Sequence, residues 1–416
     1  MVRFHALSRG NISIFLRIVV VFCKFFLVTI LIKKFSIDVF GDYSLLVTSI
    51  SYALIIIGCD FHSFSTRFLI SQDYTYWLSF LKDLLLFYLL SYLVFSIFFF
   101  QLFSYNILSS KFIIWFYVIL LFEHLSQEIY RILVLLGKTV QADFLVFLRN
   151  GIWIFPVIFY IYNVEMVEGQ KIFIVLVGWC TGSLLSFILG VYWILKKIPT
   201  NQPLLPINWT ILKQGLQKSL FFFIGTISFC GITTVDKYLI KIFTNSSEVG
   251  VYSFFYMLTI VINTLIEAGI INQTLPNLIR IYHKGDLILF ESLFQKMKRK
   301  VFITVFLFFS MSSIFINFLI NFLNKNSFSE YLPLYYILEI TVAIQIIGLI
   351  PHYRLFIMKK DSIIVFSTFI SFIIFVVIGY LLTPIYGVYG TALSLLITFT
   401  ILLFLKNFYV RKLLNK

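Results

Sequence analysis

Twelve stretches of mostly apolar residues, each close to the roughly 20 needed to cross a bilayer core as a helix, run through this chain. They lie near 12–32, 43–63, 84–103, 112–134, 145–163, 171–195, 217–241, 249–271, 301–323, 331–354, 362–383 and 386–405. The pattern predicts an all-α polytopic membrane protein with 12 transmembrane helices. Composition agrees: 60% of the 416 residues are hydrophobic and 12% charged, where a soluble domain carries about twice that charged fraction. Arg17 and Lys24 interrupt the first run, and no small-residue cleavage site follows it. It is therefore expected to stay as a span and not to be removed as a signal peptide. Cys23, Cys59, Cys180 and Cys230 all fall inside apolar runs without metal spacing, which predicts buried thiols and neither a disulfide framework nor a zinc site.

The second half repeats the first. Phe35–Ser44 (FSIDVFGDYS) returns about 209 residues later as Phe243–Ser253 (FTNSSEVGVYS), in both places a loop closing on Gly-x-Tyr-Ser before an apolar run. Arg131–Lys138 (RILVLLGK) is echoed by Arg354–Lys360 (RLFIMKK), and Thr181–Lys197 by Gly390–Lys406. Between the halves, Lys196–Lys218 holds three prolines, which argue against one continuous helix. The expected organisation is an N-lobe of six spans over 1–200, a cytoplasmic linker over 201–216 and a C-lobe of six spans over 217–416. Duplicated spans around a central pathway are a common construction for secondary transporters. Because each half has an even number of spans, the two lobes are expected to be related by a pseudo-two-fold along the membrane normal.

Basic residues set the orientation. Of 33 Lys and Arg, 24 fall in the termini and the loops on their side, and six (Lys33, Lys34, Lys111, Lys171, Lys241, Lys325) in the opposite loops. The bias places both termini in the cytoplasm and makes the net charge of +15 a topology signal, with no need of nucleic acid as a partner. Lys284–Lys300 has Phe290, Leu293, Phe294 and Met297 on one face, and Gln72–Asp83 carries Trp77 and Phe80. Both are expected to lie as amphipathic segments in the headgroup region.

An ionisable residue facing lipid at mid-bilayer costs about 2.5–3.5 kcal/mol even on the lenient insertion scale, so in-span charges point to the pathway. Arg17 and Lys24, seven residues apart, lie on one helical face with no acid on the same helix, and invite an anion. The fourth span carries Glu123, His124, Gln127, Glu128 and Arg131 within one arc, and the seventh has Thr226, Thr233, Asp236 and Lys237. Glu267 and Glu339 are isolated acids of the second half. Simpler readings stand beside these. Glu128 with Arg131 is an i,i+3 pair that structure alone would explain. Arg131 fits a cytoplasmic end anchor, as do Arg149, Arg280 and Arg354. Asp236 with Lys237 fits a self-neutralised pair, and His124 an interior histidine.

Phe40–Leu46 (FGDYSLL) with Gly58–Ile70 (GCDFHSFSTRFLI), then Val235–Ile240 (VDKYLI) with Val249–Phe255 (VGVYSFF) and Pro276, and finally Pro384–Leu396 (PIYGVYGTALSLL) together resemble the signatures of polysaccharide (O-antigen) flippases of the Wzx type. The resemblance spans nearly the whole chain in order, and departs in a poverty of Ala and Gly. It implies a member of the multidrug/oligosaccharidyl-lipid/polysaccharide exporter superfamily in the bacterial inner membrane. Its implied substrate is an undecaprenyl-pyrophosphate-linked oligosaccharide, an O-antigen or capsule repeat unit, moved from the cytoplasmic to the periplasmic leaflet. By position, Arg17 and Lys24 fit the family's cationic N-lobe cavity and Asp236 its seventh-span aspartate. Membrane lipid and polysaccharide assembly proteins are the implied partners.

The physical expectation is that Arg17 and Lys24, joined by Arg131, Asp236 and Lys237, hold the anionic headgroup. Glu123, Glu128 and His124 would balance those cations or couple to H+ or Na+, with no other cofactor. Outward movement of an anion is downhill by about 2.3 kcal/mol per charge per 100 mV. A cation-coupled drug antiporter of the same fold would want acids dominating the cavity. A lipid II flippase usually has two further spans. A glycosyltransferase or polymerase would need a large loop or an acidic metal motif, and neither is found.

Overall fold

The computed structural model describes residues 2–164, 168–199 and 203–414. Among them every regular element is helical. The chain divides into two compact units, Met1–Phe223 and Ile224–Lys416.

In the first unit α1 (Val2–Lys34) and α2 (Ile37–Gly58) are followed by a break at Cys59 and Asp60, both with positive φ (45° and 52°). A short α3 (His62–Ile70) then leads to α4 (Tyr74–Ser104) and α5 (Ile113–Leu135). α6 (Thr139–Phe147) and α7 (Ile154–Asn163) form one span through a π-helical turn, Leu148–Ile152, and α8 (Glu168–Leu195) closes the unit's six crossings. On α4, Leu85, Leu89, Leu93 and Ile97 stand four apart and are all more than half exposed. Such an apolar stripe is an unmet surface in water and an ordinary one in lipid.

The second unit repeats the plan. It takes in most of α9 (Trp209–Phe243), then α10 (Ser246–Ile266), a second π turn (Glu267–Ile271), α11 (Asn272–His283), α12 (Leu287–Leu323), α13 (Leu332–Ile347), α14 (Leu349–Ile357) and α15 (Asp361–Leu414). The two Gly-x-Tyr-Ser sequences open α2 and α10, and both tyrosines, Tyr43 and Tyr252, turn inward. At α10, Asn245 caps the helix by accepting from the Glu248 amide, a bond that satisfies one of the orphan N–H groups.

Eleven helical segments are long and apolar enough to cross a membrane. The last, 54 residues long, would extend about 80 Å at 1.5 Å per residue, far more than one crossing. It folds back at Gly387 (φ 55°, ψ −135°), where only glycine is comfortable. Thr383 and Thr391, eight residues apart, thereby meet at 2.9 Å through their hydroxyls. The turn restores the expected 12 crossings, six per unit.

Two expectations change. Gln72–Asp83 is no separate headgroup segment: from Tyr74 it is the first turns of α4, with Trp77 and Phe80 buried in the first unit's core. Lys284–Lys300 is likewise mostly the start of α12, and Phe290, Phe294 and Met297 face protein. In both, the apolar face meets other helices of its own unit before it can meet lipid. Of the stretch expected as a linker, 201–216, residues 203–208 are non-helical and α9 begins at Trp209, with Leu212 joining the core of Phe61 and Trp77. The Asn208 amide donates to Asp83 Oδ2 at 3.1 Å, and the Leu205 amide to Ser79 Oγ at 3.1 Å. Residues 201–202 lie outside the described residues.

Candidate functional site

The charged residues of the first unit converge where α1 packs on α6 and the π turn, and α5 on α8. Arg17 is 62% exposed, yet its Nε lies 3.0 Å from Asp143 Oδ1 and its Nη2 donates to the Tyr130 hydroxyl at 2.9 Å. The acid that α1 lacks is supplied by α6. Lys24, two turns further on, is exposed and has no ion-pair or hydrogen-bond partner among the described residues. Glu123 and Arg149 are the charges that act on it.

The fourth-span residues share one arc but not one job. Glu123, 5% exposed, accepts from Trp179 Nε1 and Ser183 Oγ of α8, both at 2.7 Å. Its other oxygen lies 3.4 Å from Arg149 Nε, and Arg149 also donates to the Glu123 carbonyl at 3.3 Å. One turn on, Glu128 is buried and paired with Arg131. This i,i+3 pair is the simpler alternative read in the sequence. Arg131 sits near the end of its span, close to His62 on α3; burial first, then the Arg131 charge, pushes that imidazole down to about 4. Between the two acids' neighbourhoods His124, 1% exposed, meets Tyr88 edge-on at 4.4 Å and Tyr92 at 5.7 Å. Among the described residues neither of its ring nitrogens has a hydrogen-bond partner.

Asp236 and Lys237 belong to the second unit and form a closed set. Asp236 is fully buried; its carboxylate accepts from Tyr252 Oη at 2.8 Å and from the Lys237 amide at 2.7 Å. The Lys237 ammonium stands 3.3 Å from Asp236 Oδ1, donates to the Thr233 carbonyl at 3.0 Å, and lies 5.0 Å over the Tyr256 ring. These partners all come from α9 and α10. Glu339 on α13 also differs from its sequence-level reading as an isolated acid. It accepts from Ser312 at 2.9 Å, from Ser313 at 3.0 Å and from Tyr335 at 3.3 Å, and it borders a crevice of about 450 Å³ lined by Phe302, Phe306 and Ile340.

Sequence reasoning overlooked Asp143 and the inward role of Arg149, whose side chain is 11% exposed and pairs with Glu123 where an end anchor was expected. Starting the fifth span at Thr139 and not near 145 would have brought Asp143 into it beside Arg149. Trp179 and Ser183 left only a faint trace, polar positions four apart in an otherwise apolar sixth span. Arg354 does serve as a fastener, donating to Glu291 at 2.6 Å and lying 5.1 Å over the Phe294 ring.

Twelve apolar helical crossings, six in each unit, make this an all-α multi-pass membrane protein. Among solved structures, the chain is similar to "Lipid II flippase MurJ, inward closed conformation", with a TM-score of 0.71 and 16% identity over 97% of this chain and 87% of that one. It is also similar to a multidrug resistance MATE family transporter of the MOP superfamily in its inward-facing conformation (TM-score 0.66, 12% identity, 93% and 92% covered). An outward-facing structure of a MATE family transporter gives a TM-score of 0.54 with 13% identity over 96% and 92% of the chains. No family model and no curated protein matches the sequence. The chain shares the fold of these structures.

Proposed function

We propose that this protein is a flippase for an anionic lipid-linked oligosaccharide, of the undecaprenyl-pyrophosphate kind, carried from the cytoplasmic to the periplasmic leaflet by alternating access. One observation supports this above others. In the first unit Glu123, Glu128 and Asp143 are each less than 10% exposed and each paired with an arginine, while Lys24 is exposed with no ion pair among the described residues and Arg17 is largely exposed. The charge left for a ligand is positive. A pyrophosphate approaching Lys24 and Arg17 finds cations that need no unpairing at Lys24 and the exchange of a single acid at Arg17. The buried Glu123–Arg149 pair, fixed by Trp179 and Ser183, holds the surrounding field steady and keeps α5, α8 and the π turn in register. His124, whose ring nitrogens have no hydrogen-bond partner among the described residues, is assigned the H+ step in this reading. Asp236 and Lys237 are assigned to packing of α9 on α10.

A second reading is a cation-coupled drug antiporter, a use to which the same fold is put. Glu339 favours it: this acid has hydroxyl partners, no basic one, and an open crevice beside it. Complementation separates the two. The gene is expressed with its cognate sugar genes in a strain lacking its own O-antigen flippase, as wild type, Arg17→Ala, Lys24→Ala and Glu339→Gln, at matched membrane levels. Surface polysaccharide restored by wild type and Glu339→Gln and lost in the two α1 variants supports the flippase. No polysaccharide from wild type, together with Glu339-dependent resistance to cationic dyes, supports the antiporter.

A further inference from the structure

We infer that the cleft between α11 and the first turns of α12 binds the phosphate of an anionic glycerophospholipid, a site separate from the translocation residues above. The cleft measures about 420 Å³. Its lining brings together Lys296, Arg299 and Lys300 of α12 with the side-chain amides of Gln273 and Asn277 on α11, and contains no acid. None of these three cations takes part in an ion pair or side-chain hydrogen bond within the described residues. The nearby acid, Glu291, is turned to Arg354 at 2.6 Å, and the neighbouring Lys298 lies 6.0 Å over the Phe302 ring. Three free cations and two amide donors, with no competing carboxylate, form a receptor for a phosphoryl anion.

The surface below the cleft selects a lipid over free phosphate. At 100° per residue, Lys296, Lys300, Ile303, Leu307 and Ile314 share one face of α12. Ile303, Leu307 and Ile314 are 47%, 54% and 74% exposed. From Ile303 to Ile314 the stripe runs about 16 Å, the depth of one leaflet of a hydrocarbon core about 30 Å thick. Charge at the top and one leaflet's length of exposed apolar surface beneath it match a phospholipid standing along the helix. The bias of basic residues puts this end in the cytoplasmic leaflet, where anionic lipids accumulate.

The test is native mass spectrometry of the purified full-length protein in detergent, with phosphatidylglycerol or phosphatidylcholine titrated in. Parent protein should retain phosphatidylglycerol over phosphatidylcholine. Arg299→Gln with Lys300→Gln should lower that retention about 30-fold, the effect of two interfacial cations. Lys284→Gln with Lys298→Gln removes equal charge outside the cleft and should change retention less than about twofold. Lys296→Gln alone, at an exposed position, gives the same readout if the double variant is unstable. Equal losses from both double variants, or no preference between the lipids, overturn the proposal. Displacement by inorganic phosphate would assign a free-anion site, and displacement by a polyprenyl phosphate at lower concentration would assign substrate entry; either also overturns it. Complementation is not used as the readout, so the result stands apart from the transported substrate.

Discussion

Asp236 and Lys237 are sequence neighbours that neutralise each other inside the second unit, with the ammonium 3.3 and 3.4 Å from the two carboxylate oxygens. Consecutive residues on a helix point 100° apart, so the contact requires the lysine stem to fold back, over the faces of Tyr252 and Tyr256. Removing one partner leaves the other charge buried. Asp236→Ala is therefore expected to destabilise by about 3–5 kcal/mol, seen as a loss of folded protein in detergent melts. Asp236→Asn with Lys237→Met should regain most of it. A double variant as unstable as the single one would show that the pair is not self-contained.

The same logic applies across the first unit. Glu123→Gln keeps an acceptor for Trp179 and Ser183 but leaves Arg149 buried beside a neutral amide, and should lower stability by about 3 kcal/mol. Glu123→Gln with Arg149→Met should melt closer to the parent protein. Thermal unfolding followed by tryptophan fluorescence reads both.

Lys24 behaves differently because it has no ion-pair or hydrogen-bond partner to orphan among the described residues. Lys24→Gln is expected to change stability by no more than about 0.5 kcal/mol while abolishing transport in the complementation strain. Lys24→Arg should retain activity, since the ligand asks for positive charge at that place. Loss of folded protein in Lys24→Gln would remove it from the pathway.

Gly387 is where the last apolar segment reverses. An alanine there meets Glu248 Oε2 at 3.3 Å and sits at φ 55°, ψ −135°. Gly387→Ala should cost about 1–3 kcal/mol, measurable in the same melts. Alanine at Gly137, which has open space around it and φ 71°, carries the dihedral penalty alone and should cost less.

Orientation has its own check. The bias of Lys and Arg predicts a cytoplasmic C-terminus, so a C-terminal green fluorescent protein fusion should be bright and an alkaline phosphatase fusion inactive. The opposite pair of results would invert the assignment of every loop.

The number of crossings, the duplication and the helical class were legible in the sequence because a membrane span is specified locally, by about 20 consecutive apolar residues. The Gly-x-Tyr-Ser repeat marked the starts of α2 and α10 for the same reason: a helix start is written in adjacent residues. In-span charges were also visible, as Arg17, Lys24, Glu123, Glu128 and Asp236 are conspicuous among apolar neighbours. What the sequence could not carry was which charge meets which. Asp143 reaches Arg17 across 126 positions, and Ser183 reaches Glu123 across 60; such pairings depend on how helices stack, and helical periodicity is blind to them. Tertiary packing therefore decided that the buried acids are already paired while Lys24 is left open. It likewise turned the amphipathic faces of Phe290 and Trp77 toward protein, since a helix face is apolar in the same way whether a neighbouring helix or lipid covers it.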